Sequence, residues 1–442
     1  MNISIVGVGH VGLVTAAVLA DYGHTVMGLD DDAAKLEALR SGDVPFFEPG
    51  LQELVDRVTA DGSLAFTGDL ARAVDHAEVV FVCVGTPGLP GGGPDLRFIE
   101  RVAVEVAQHA TRDVVLVEKS TVPANTGARL TQVIEREQQR RGSDAAAVHV
   151  ASNPEFLREG VAVKDTAEPD RIVYGTASDL ARERLREVYA PMVAAVGCPV
   201  VETDVPTAEL IKHASNAFLA TRLSFINAVA NVCDKVGADI ELVAQGMGHD
   251  ARIGHAFLQA GIGYGGSCFP KDVDAFLHLS RSVGYDFGLL DEVRQINAGQ
   301  RQVVLDKLRD ELWHLTDKTI AILGAAFKPG TDDLREAPAI YLAEALLEEG
   351  VTVRMYDPVA LGGVATALPD VKLFDDPLVA CRGAHAVVIA TEWEQIRSLD
   401  LSELKAALGY PIVIDGRNCL DGRAAMDAGL HYHGIGRGHL RS

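Results

Sequence analysis

Apolar runs that alternate with helical segments dominate the first part of the chain. Residues 3–6 ("ISIV"), 78–87 ("EVVFVCVGTP") and 113–123 ("DVVLVEKSTVP") are such runs, and 147–160 ("AVHVASNPEFLREG") has the same form. Strands without strict apolar–polar alternation are typical of parallel sheets that are covered on both faces. The pattern therefore predicts a doubly wound α/β unit in this part of the chain.

The last part of the chain repeats this alternation. A strand over 319–323 leads into a glycine turn, a helix is expected over 337–348, and a strand over 351–356 ends at Asp357. Two further buried strands are expected within 384–391 and 410–418. This pattern predicts a second doubly wound unit, although it lacks the full dinucleotide fingerprint.

Between these units the pattern is helical. Residues 206–236 indicate one long helix with apolar residues on most faces, so we expect burial on several sides, including against a second subunit. Another helix is expected over 270–283. The predicted fold class is α/β, with two Rossmann-like doubly wound parallel-sheet domains joined by a central helical region with a long helix. The expected domain boundaries are 1–204, 205–300 and 301–442.

The composition narrows the classes of partner. The chain has 442 residues, with 40 basic and 62 acidic side chains and a formal charge of −22. This charge disfavours nucleic acid and anionic membrane surfaces as partners. The six cysteines form no CxxC pair, the start "MNISIVGVGH" lacks a basic leader, and no apolar run approaches the ~20 residues of a membrane span. We therefore expect a cytoplasmic globular protein.

A glycine fingerprint follows the first strand. Gly7, Gly9 and Gly12 have the G-x-G-x-x-G spacing at the start of a helix, where backbone N–H groups bind a pyrophosphate. Asp30 ends the next strand, where a carboxylate can bind the ribose hydroxyls of adenosine. Two more aspartates follow it and would repel a 2′-phosphate, so NAD is favoured over NADP. The alternative is a glycine turn that binds no cofactor.

Polar residues end the later strands of this unit. Thr86, Ser120 and Thr121 are expected at the carboxyl ends of strands, with Glu155 and Glu159 at the same rim. Ligands of doubly wound sheets bind beyond those ends. The alternative for the hydroxyl residues is that they only cap the following helices.

The helical middle carries four further candidates. Lys212 and Asn216 are four residues apart and share one helix face, although a solvated lysine and a structural asparagine are the alternatives. Cys268 lies in the glycine-rich stretch "GYGGSCFPKD" (263–272), with Asp272 one helical turn further on. The alternative for Cys268 is a small buried apolar residue.

In combination these motifs resemble those of the UDP-glucose 6-dehydrogenases, within the UDP-glucose/GDP-mannose dehydrogenase family. The resemblance extends over nearly the whole chain. It includes "GVGHVG", "PFFEPGL", "VGTP", "STVP", "NPEFLREG", "AELIKHASNAFLA", "GYGGSCFPKD", "FKPGTDDLRE", "DGRN" and "YHGIGR". One departure is His10, where the family usually has an aromatic residue, and we expect this change to affect packing rather than cofactor identity.

The resemblance implies roles for individual residues. The matches to catalytic residues are Cys268 as nucleophile, with Lys212, Asn216, Asp272, Glu155 and Thr121. The matches to NAD contacts are Gly7, Gly9, Val11, Gly12, Asp30, Lys35, Thr86, Ser120, Thr121, Glu159, Lys271 and Arg335. The matches to substrate contacts are Glu155, Phe156, Leu157, Glu159, Lys212, Asn216, Arg252, Tyr264, Gly265, Cys268, Lys328 and Arg417. Arg252 matches an arginine that reaches the neighbouring subunit's substrate, which implies a homodimer or a larger homo-oligomer.

The resemblance also implies the reaction. Family members oxidise a sugar CH₂OH to a carboxylate with two NAD⁺ in turn, and a cysteine thiol retains the intermediate aldehyde as a thiohemiacetal and then a thioester. The first interpretation is oxidation of UDP-glucose to UDP-glucuronate. GDP-mannose or another nucleotide sugar as substrate, and a non-catalytic nucleotide-sugar sensor, are the alternatives. No metal is expected, because His431, His433 and His439 lack a cluster of partner ligands.

Overall fold

The computed structural model describes residues 1–89, 93–142 and 145–440. It divides into two compact units, one formed by 1–215 with 274–285 and the other by 216–273 with 286–442. The predicted fold class is confirmed, because each unit is built on its own largely parallel sheet. The predicted division into three domains, with boundaries after residues 204 and 300, stays a prediction.

Over its described residues, the first unit contains an eight-stranded sheet with the order β3-β2-β1-β4-β5-β6-β7-β8. All neighbouring strands are parallel except β6 and β7, which are antiparallel. The strands are β1 Asn2–Val6, β2 Thr25–Leu29, β3 Leu64–Thr67, β4 Val79–Val82, β5 Val114–Glu118, β6 Val148–Ser152, β7 Ile172–Thr176 and β8 Val200–Thr203. The chain order reverses between β1 and β4, so the carboxyl ends of these two strands form a topological switch point, where such sheets bind ligands.

Helices cover both faces of this sheet, which explains the continuous apolar strands. One core cluster joins α1 and α8 to the sheet and the other joins α5 and α6 to it, and every residue of β4 and β5 is buried. The helices are α1 His10–Asp21, α2 Ala33–Arg40, α3 Leu51–Ala60, α4 Leu70–His76, α5 Arg97–His109, α6 Thr126–Arg141, α7 Ala162–Ala167 and α8 Asp179–Val196.

Helix α9 (Val205–Val236) is the predicted long helix and runs from the first unit into the second. Two more helices follow it, α10 (Ile240–Gly248) and α11 (Phe269–Ser282). In the second unit α12 (Gly288–Leu312) is hydrogen-bonded to α9, since Ser224 Oγ donates to the backbone oxygen of Val293 at 2.9 Å. These helices correspond to the central helical region of the prediction.

The second unit contains, over its described residues, a six-stranded parallel sheet with the order β11-β10-β9-β12-β13-β14. Its strands are β9 Thr319–Leu323, β10 Thr352–Tyr356, β11 Lys372–Phe374, β12 Ala386–Ile389, β13 Ile412–Asp415 and β14 His431–Gly434. Its remaining helices are α13 Pro338–Glu348, α14 Leu361–Ala367, α15 Pro377–Cys381, α16 Glu394–Arg397, α17 Leu401–Ala407, α18 Gly422–Asp427 and the 3₁₀ turn Gly438–Leu440. A single core cluster joins the sheet to α9, α12 and α13.

The proline- and glycine-rich stretch 87–95 predicts a flexible surface connection. Its residues 90–92 lie outside the described residues, and Leu89 is exposed. In the described part of the chain, no helix has both the length and the apolar character that a membrane crossing requires.

Candidate active site

The glycine turn of the first unit is built as an anion cradle. Helix α1 begins at His10 directly after the turn, and no side chain caps its N-terminus. A Cβ on Gly12 would collide with the backbone oxygen of Gly7, whereas a Cβ on Gly9 would meet none of the described atoms within 4 Å. Gly12 is therefore needed for close packing, and Gly9 leaves room for a ligand beside free backbone N–H groups. This geometry fits the pyrophosphate of a dinucleotide.

Asp30 is fixed beside this turn. Its Oδ2 accepts hydrogen bonds from the backbone N–H of Val8 at 3.0 Å and from Lys35 Nζ at 2.9 Å. Its Oδ1 accepts from the backbone N–H of Asp32 at 3.1 Å. The structure thus brings together Asp30 and Lys35, two predicted cofactor contacts, at the end of β2.

The carboxyl ends of β4 and β5 carry the predicted hydroxyl residues. Thr86 Oγ1 donates to the backbone oxygen of Thr121 at 3.0 Å, which ties the two loops together. Ser120 Oγ donates to the backbone oxygens of Val82 and Val84, the latter at 2.7 Å. Neither hydroxyl caps the following helix, since the N-cap residues of α5 and α6 are Leu96 and Asn125. Val11 lies in the first turn of α1.

Glu155 and Lys212 form a buried ion pair in the first unit. Lys212 Nζ lies 2.7 Å from Glu155 Oε1, and the two side chains are 4% and 7% exposed. Glu155 Oε2 also accepts a hydrogen bond from the backbone N–H of Leu157 at 2.8 Å. The ring of Phe156 has Lys212 Nζ 5.5 Å from its centre and the Arg171 guanidinium 3.8 Å from it. The solvated alternative for Lys212 is therefore wrong.

His10 takes part in a hydrogen-bond network that the sequence did not reveal. Its Nε2 lies 2.8 Å from Glu48 Oε2, and its ring stacks on Phe46. The carboxylate of Glu48 also accepts hydrogen bonds from the backbone N–H groups of Gly160 and Ala162, both at 2.7 Å. Glu48 thereby links the glycine turn to the end of the loop that carries Glu155 and buried Glu159. The one signal in the sequence is an acidic residue within "PFFEPGL".

In the second unit Cys268 directly precedes α11. The backbone N–H of Asp272 donates to the backbone oxygen of Cys268 at 2.9 Å, so the two residues lie one helical turn apart, as predicted. Asp272 Oδ2 accepts from Asn216 Nδ2 at 2.6 Å, and Asp272 Oδ1 lies 2.9 Å from Lys271 Nζ. The hydroxyl of Ser267 lies 3.5 Å from Cys268 Sγ. Cys268 is partly exposed.

The glycine-rich loop before Cys268 packs against the segment 327–336. A Cβ on Gly265 would collide with the backbone oxygen of Glu336, and the backbone N–H of Gly266 donates to the backbone oxygen of Arg335 at 2.9 Å. Asn297 on α12 accepts from the backbone N–H of Tyr264 at 2.8 Å and donates to its backbone oxygen at 3.0 Å. Sequence reasoning missed Asn297, whose only signal is an amide on a buried helix face.

Three predicted arginines have different settings in the second unit. The guanidinium of Arg417 donates to the backbone oxygens of Gly263, Phe327 and Ala390, so it holds three segments together. Arg335 is paired with Asp333 at 2.8 Å, and Arg252 is paired with Asp250 at 2.6 Å, with both arginine side chains largely exposed. Lys328 Nζ lies 5.3 Å from the centre of the Phe327 ring.

The C-terminal histidines are paired with single carboxylates. His433 Nε2 lies 3.0 Å from Glu311, and His439 Nε2 lies 3.4 Å from Asp239. Within the ranges that the structure describes, no group of three or more histidine, cysteine, aspartate or glutamate side chains could hold a metal ion.

Comparison with known proteins identifies the family. Models of the UDP-glucose/GDP-mannose dehydrogenase family match residues 1–193 (NAD binding domain), 206–299 (central domain) and 321–422 (UDP binding domain). The chain is 44% identical to UDP-glucose 6-dehydrogenase YwqF of Bacillus subtilis, covering 99% of this chain and 98% of that protein. It is 42% identical to a UDP-glucose 6-dehydrogenase of Pseudomonas aeruginosa, covering 100% of this chain and 99% of that protein.

Solved structures agree with these sequence matches. The structure of a UDP-glucose dehydrogenase from Pyrobaculum islandicum superposes with a TM-score of 0.91 at 36% identity, covering 99% of this chain and 98% of that one. The expected cofactor, NAD, is confirmed by the family's NAD binding domain. The chain therefore belongs to the UDP-glucose/GDP-mannose dehydrogenase family and is an NAD-dependent oxidoreductase.

Proposed function

We propose that the protein is a UDP-glucose 6-dehydrogenase, which converts UDP-glucose, two NAD⁺ and water to UDP-glucuronate, two NADH and three H⁺. The observation that carries this proposal is the setting of Cys268. A partly exposed thiol lies one helical turn from a buried aspartate that Asn216 and Lys271 hold in place. The relatives at 42–44% identity, both UDP-glucose 6-dehydrogenases, support the choice of substrate.

A thiol is needed because the oxidation proceeds in two stages through an aldehyde. The Cys268 thiol adds to the aldehyde carbon, forming a C–S bond while a proton moves to the oxygen, and the resulting thiohemiacetal keeps one C–H bond. Loss of that hydrogen as hydride, together with the hydroxyl proton, gives a thioester. Water then attacks the thioester carbon, and the C–S bond breaks to release the carboxylate and the thiol.

The first unit supplies the cofactor site in this proposal. When bound, NAD⁺ accepts the hydride of each oxidation. We assign the pyrophosphate to Gly7, Gly9, Val11 and Gly12, and the adenosine ribose to Asp30 with Lys35. The fit rests on the uncapped start of α1 and on the open space at Gly9. Thr86, Ser120, Thr121, Glu159, Lys271 and Arg335 are further proposed contacts.

Two groups of residues are proposed to act on protons and developing charge. The ammonium of Lys212 would stabilise the oxyanion of each tetrahedral stage, and Glu155, its buried partner, would accept a proton. Asp272 with Asn216 would orient the attacking water, helped by Thr121. Loss of one oxyanion donor typically costs about 3 kcal/mol of activation free energy.

A further set of residues is assigned to the nucleotide sugar. The proposed contacts are Glu155, Phe156, Leu157, Glu159, Lys212, Asn216, Arg252, Tyr264, Gly265, Cys268, Lys328 and Arg417. The match of the family's UDP binding domain to residues 321–422 supports a uridine diphosphate rather than another nucleotide. For Arg417 the bonds to three backbone oxygens support a role in shaping this site.

We also propose a cytoplasmic homodimer. Phe218, Phe225 and Val232 recur every seven residues along α9 and are 53–62% exposed, and exposed Leu242 follows on α10. An apolar stripe at this spacing suits packing against a second copy of the same helix. The six free cysteines support a reducing compartment.

A spectrophotometric NADH assay over a panel of nucleotide sugars tests the reaction. We expect two NADH per UDP-glucose consumed. Turnover only with GDP-mannose would replace the proposed substrate, and no turnover with any sugar would favour a sensor. We expect Cys268→Ser to abolish net four-electron turnover, whereas Cys198→Ser, a change at a cysteine assigned no role in the reaction, keeps it. Wild-type turnover in Cys268→Ser would overturn the covalent mechanism.

A further inference from the structure

A buried lysine lies behind the loop that carries Glu155. Lys119 directly follows β5 and is 7% exposed, and its Nζ donates to Asn153 Oδ1 at 3.0 Å. The same Asn153 oxygen accepts from the hydroxyl of Tyr189, and Asn153 Nδ2 donates to the backbone oxygen of Val173 at 2.7 Å. The amide of Asn153 is therefore fixed on both sides, only two residues before Glu155.

Lys119 and Glu155 also line one cavity of about 90 Å³, which is too small for a nucleotide. Tyr189 and Phe156 line it as well, and its charged rim residues are Arg158, Asp165, Glu168, Asp170 and Arg171. The remaining titratable groups that act on Lys119 are Cys83 and Lys212. Two lysines thus interact electrostatically with one buried carboxylate, Glu155.

We propose that Lys119 is a positioning residue for the reaction: through Asn153 it holds the loop of Glu155, and its positive charge is coupled to the Glu155 carboxylate. This inference rests on the proposed function, in which Glu155 accepts a proton. Burial lowers the pKa of the Lys119 ammonium group, and Glu155 acts on that pKa in the opposite direction.

The split between kcat and KM separates a positioning role from a merely structural one. We expect Lys119→Met to lower kcat with UDP-glucose about tenfold while KM for NAD⁺ stays at the wild-type value, because the amide of Asn153 loses the ammonium group that holds it two residues before Glu155. Lys119→Arg should restore most of kcat. Tyr189→Phe removes the other hydrogen bond to Asn153 Oδ1 and should lower kcat in the same sense. Wild-type kcat in Lys119→Met, or a loss that Lys119→Arg does not restore, would overturn the proposal.

A second measurement needs no turnover and remains available if Lys119→Met does not fold. In protein labelled with ¹³Cε-lysine, the NMR signal missing from Lys119→Arg identifies Lys119. We expect this signal to titrate at lower pH in Glu155→Gln than in wild type, because the variant has lost the nearby negative charge. An unchanged titration would refute the coupling. Failure of the proposed function is distinguishable, since it would leave wild type without turnover of any nucleotide sugar while this titration can still be measured.

Discussion

In each sheet a carboxylate directly follows the second strand of the motif, but the two carboxylates have different hydrogen-bond partners. In the first unit Asp30 ends the second strand of the glycine-turn motif, and its oxygens hold two backbone N–H groups and Lys35 at the edge of an open cradle. In the second unit Asp357 has the corresponding place after β10. It accepts hydrogen bonds from five donors: the backbone N–H groups of Ala325, Ala326, Val359 and Ala360, and Trp393 Nε1.

The helices that follow the two turns also begin at different distances from them. Helix α1 begins three residues after Gly7, so its N-terminus faces the turn, whereas α13 begins only at Pro338, well after Gly324. The intervening segment 327–336 packs instead on the glycine-rich loop before Cys268. One repeated topology has therefore produced a cofactor cradle in one unit and a support for the loop before Cys268 in the other.

The largest expected effect is on stability and concerns the turn of the second unit, which Asp357 holds by its hydrogen bonds. We predict that Asp357→Ala lowers the free energy of unfolding by about 4 kcal/mol, because several buried donors lose their acceptor and each unsatisfied group costs about 1–3 kcal/mol. Urea unfolding followed by tryptophan fluorescence measures this. Asp30→Ala is the matched variant and should lose less than half as much. Equal losses would show that the two carboxylates have the same structural role.

The second prediction concerns the glycine turn of the first unit and its affinity for NAD⁺. We expect Asp30→Ala to raise KM for NAD⁺ by about tenfold to a hundredfold, which corresponds to about 1.4–2.7 kcal/mol of lost binding. The KM for UDP-glucose should be unaffected. Asp21→Ala, which removes a surface ion pair with Arg57 at the end of α1, is the control and should keep wild-type values. An unchanged KM for NAD⁺ in Asp30→Ala would remove Asp30 from the cofactor site.

The third prediction compares the same change, glycine to alanine, in the two turns. A Cβ on Gly9 meets open space, so Gly9→Ala should keep wild-type thermal stability while it raises KM for NAD⁺ about tenfold. Gly324 has φ +92° and a Cβ there would collide with Thr391, so Gly324→Ala should lower the free energy of unfolding by about 2 kcal/mol. Calorimetry and initial rates test both. Loss of stability in Gly9→Ala would contradict the open cradle.

The sequence predicted the elements better than the partners. Buried strands, the long helix and the turn that places Asp272 after Cys268 follow from local patterns, and the structure has them. The roles of Glu48, Lys119 and Asp357 depend on partners that are distant in the chain, such as Gly160 for Glu48 and Trp393 for Asp357. Local periodicity does not specify such pairs. For Lys119 and Asp357 the one signal is a charged residue directly after an otherwise apolar strand, as in "VVLVEK".

The smallest predicted effect concerns a carboxyl group of the first unit that no proposed step uses. Glu118 ends β5 fully buried, and burial together with the nearby Glu209 raises its pKa well above the usual value for glutamate. The folded protein therefore holds a proton that the unfolded chain releases near pH 4.3. It follows that this residue lowers the free energy of unfolding progressively as the pH rises above that value toward the folded pKa.

Glu118→Gln removes the penalty and keeps an N–H donor for Glu209. We expect its unfolding free energy, measured with urea from pH 5 to 8, to improve relative to wild type by about 1 kcal/mol as the pH rises. A constant difference between variant and wild type across that range would show that Glu118 is ionised in the folded protein.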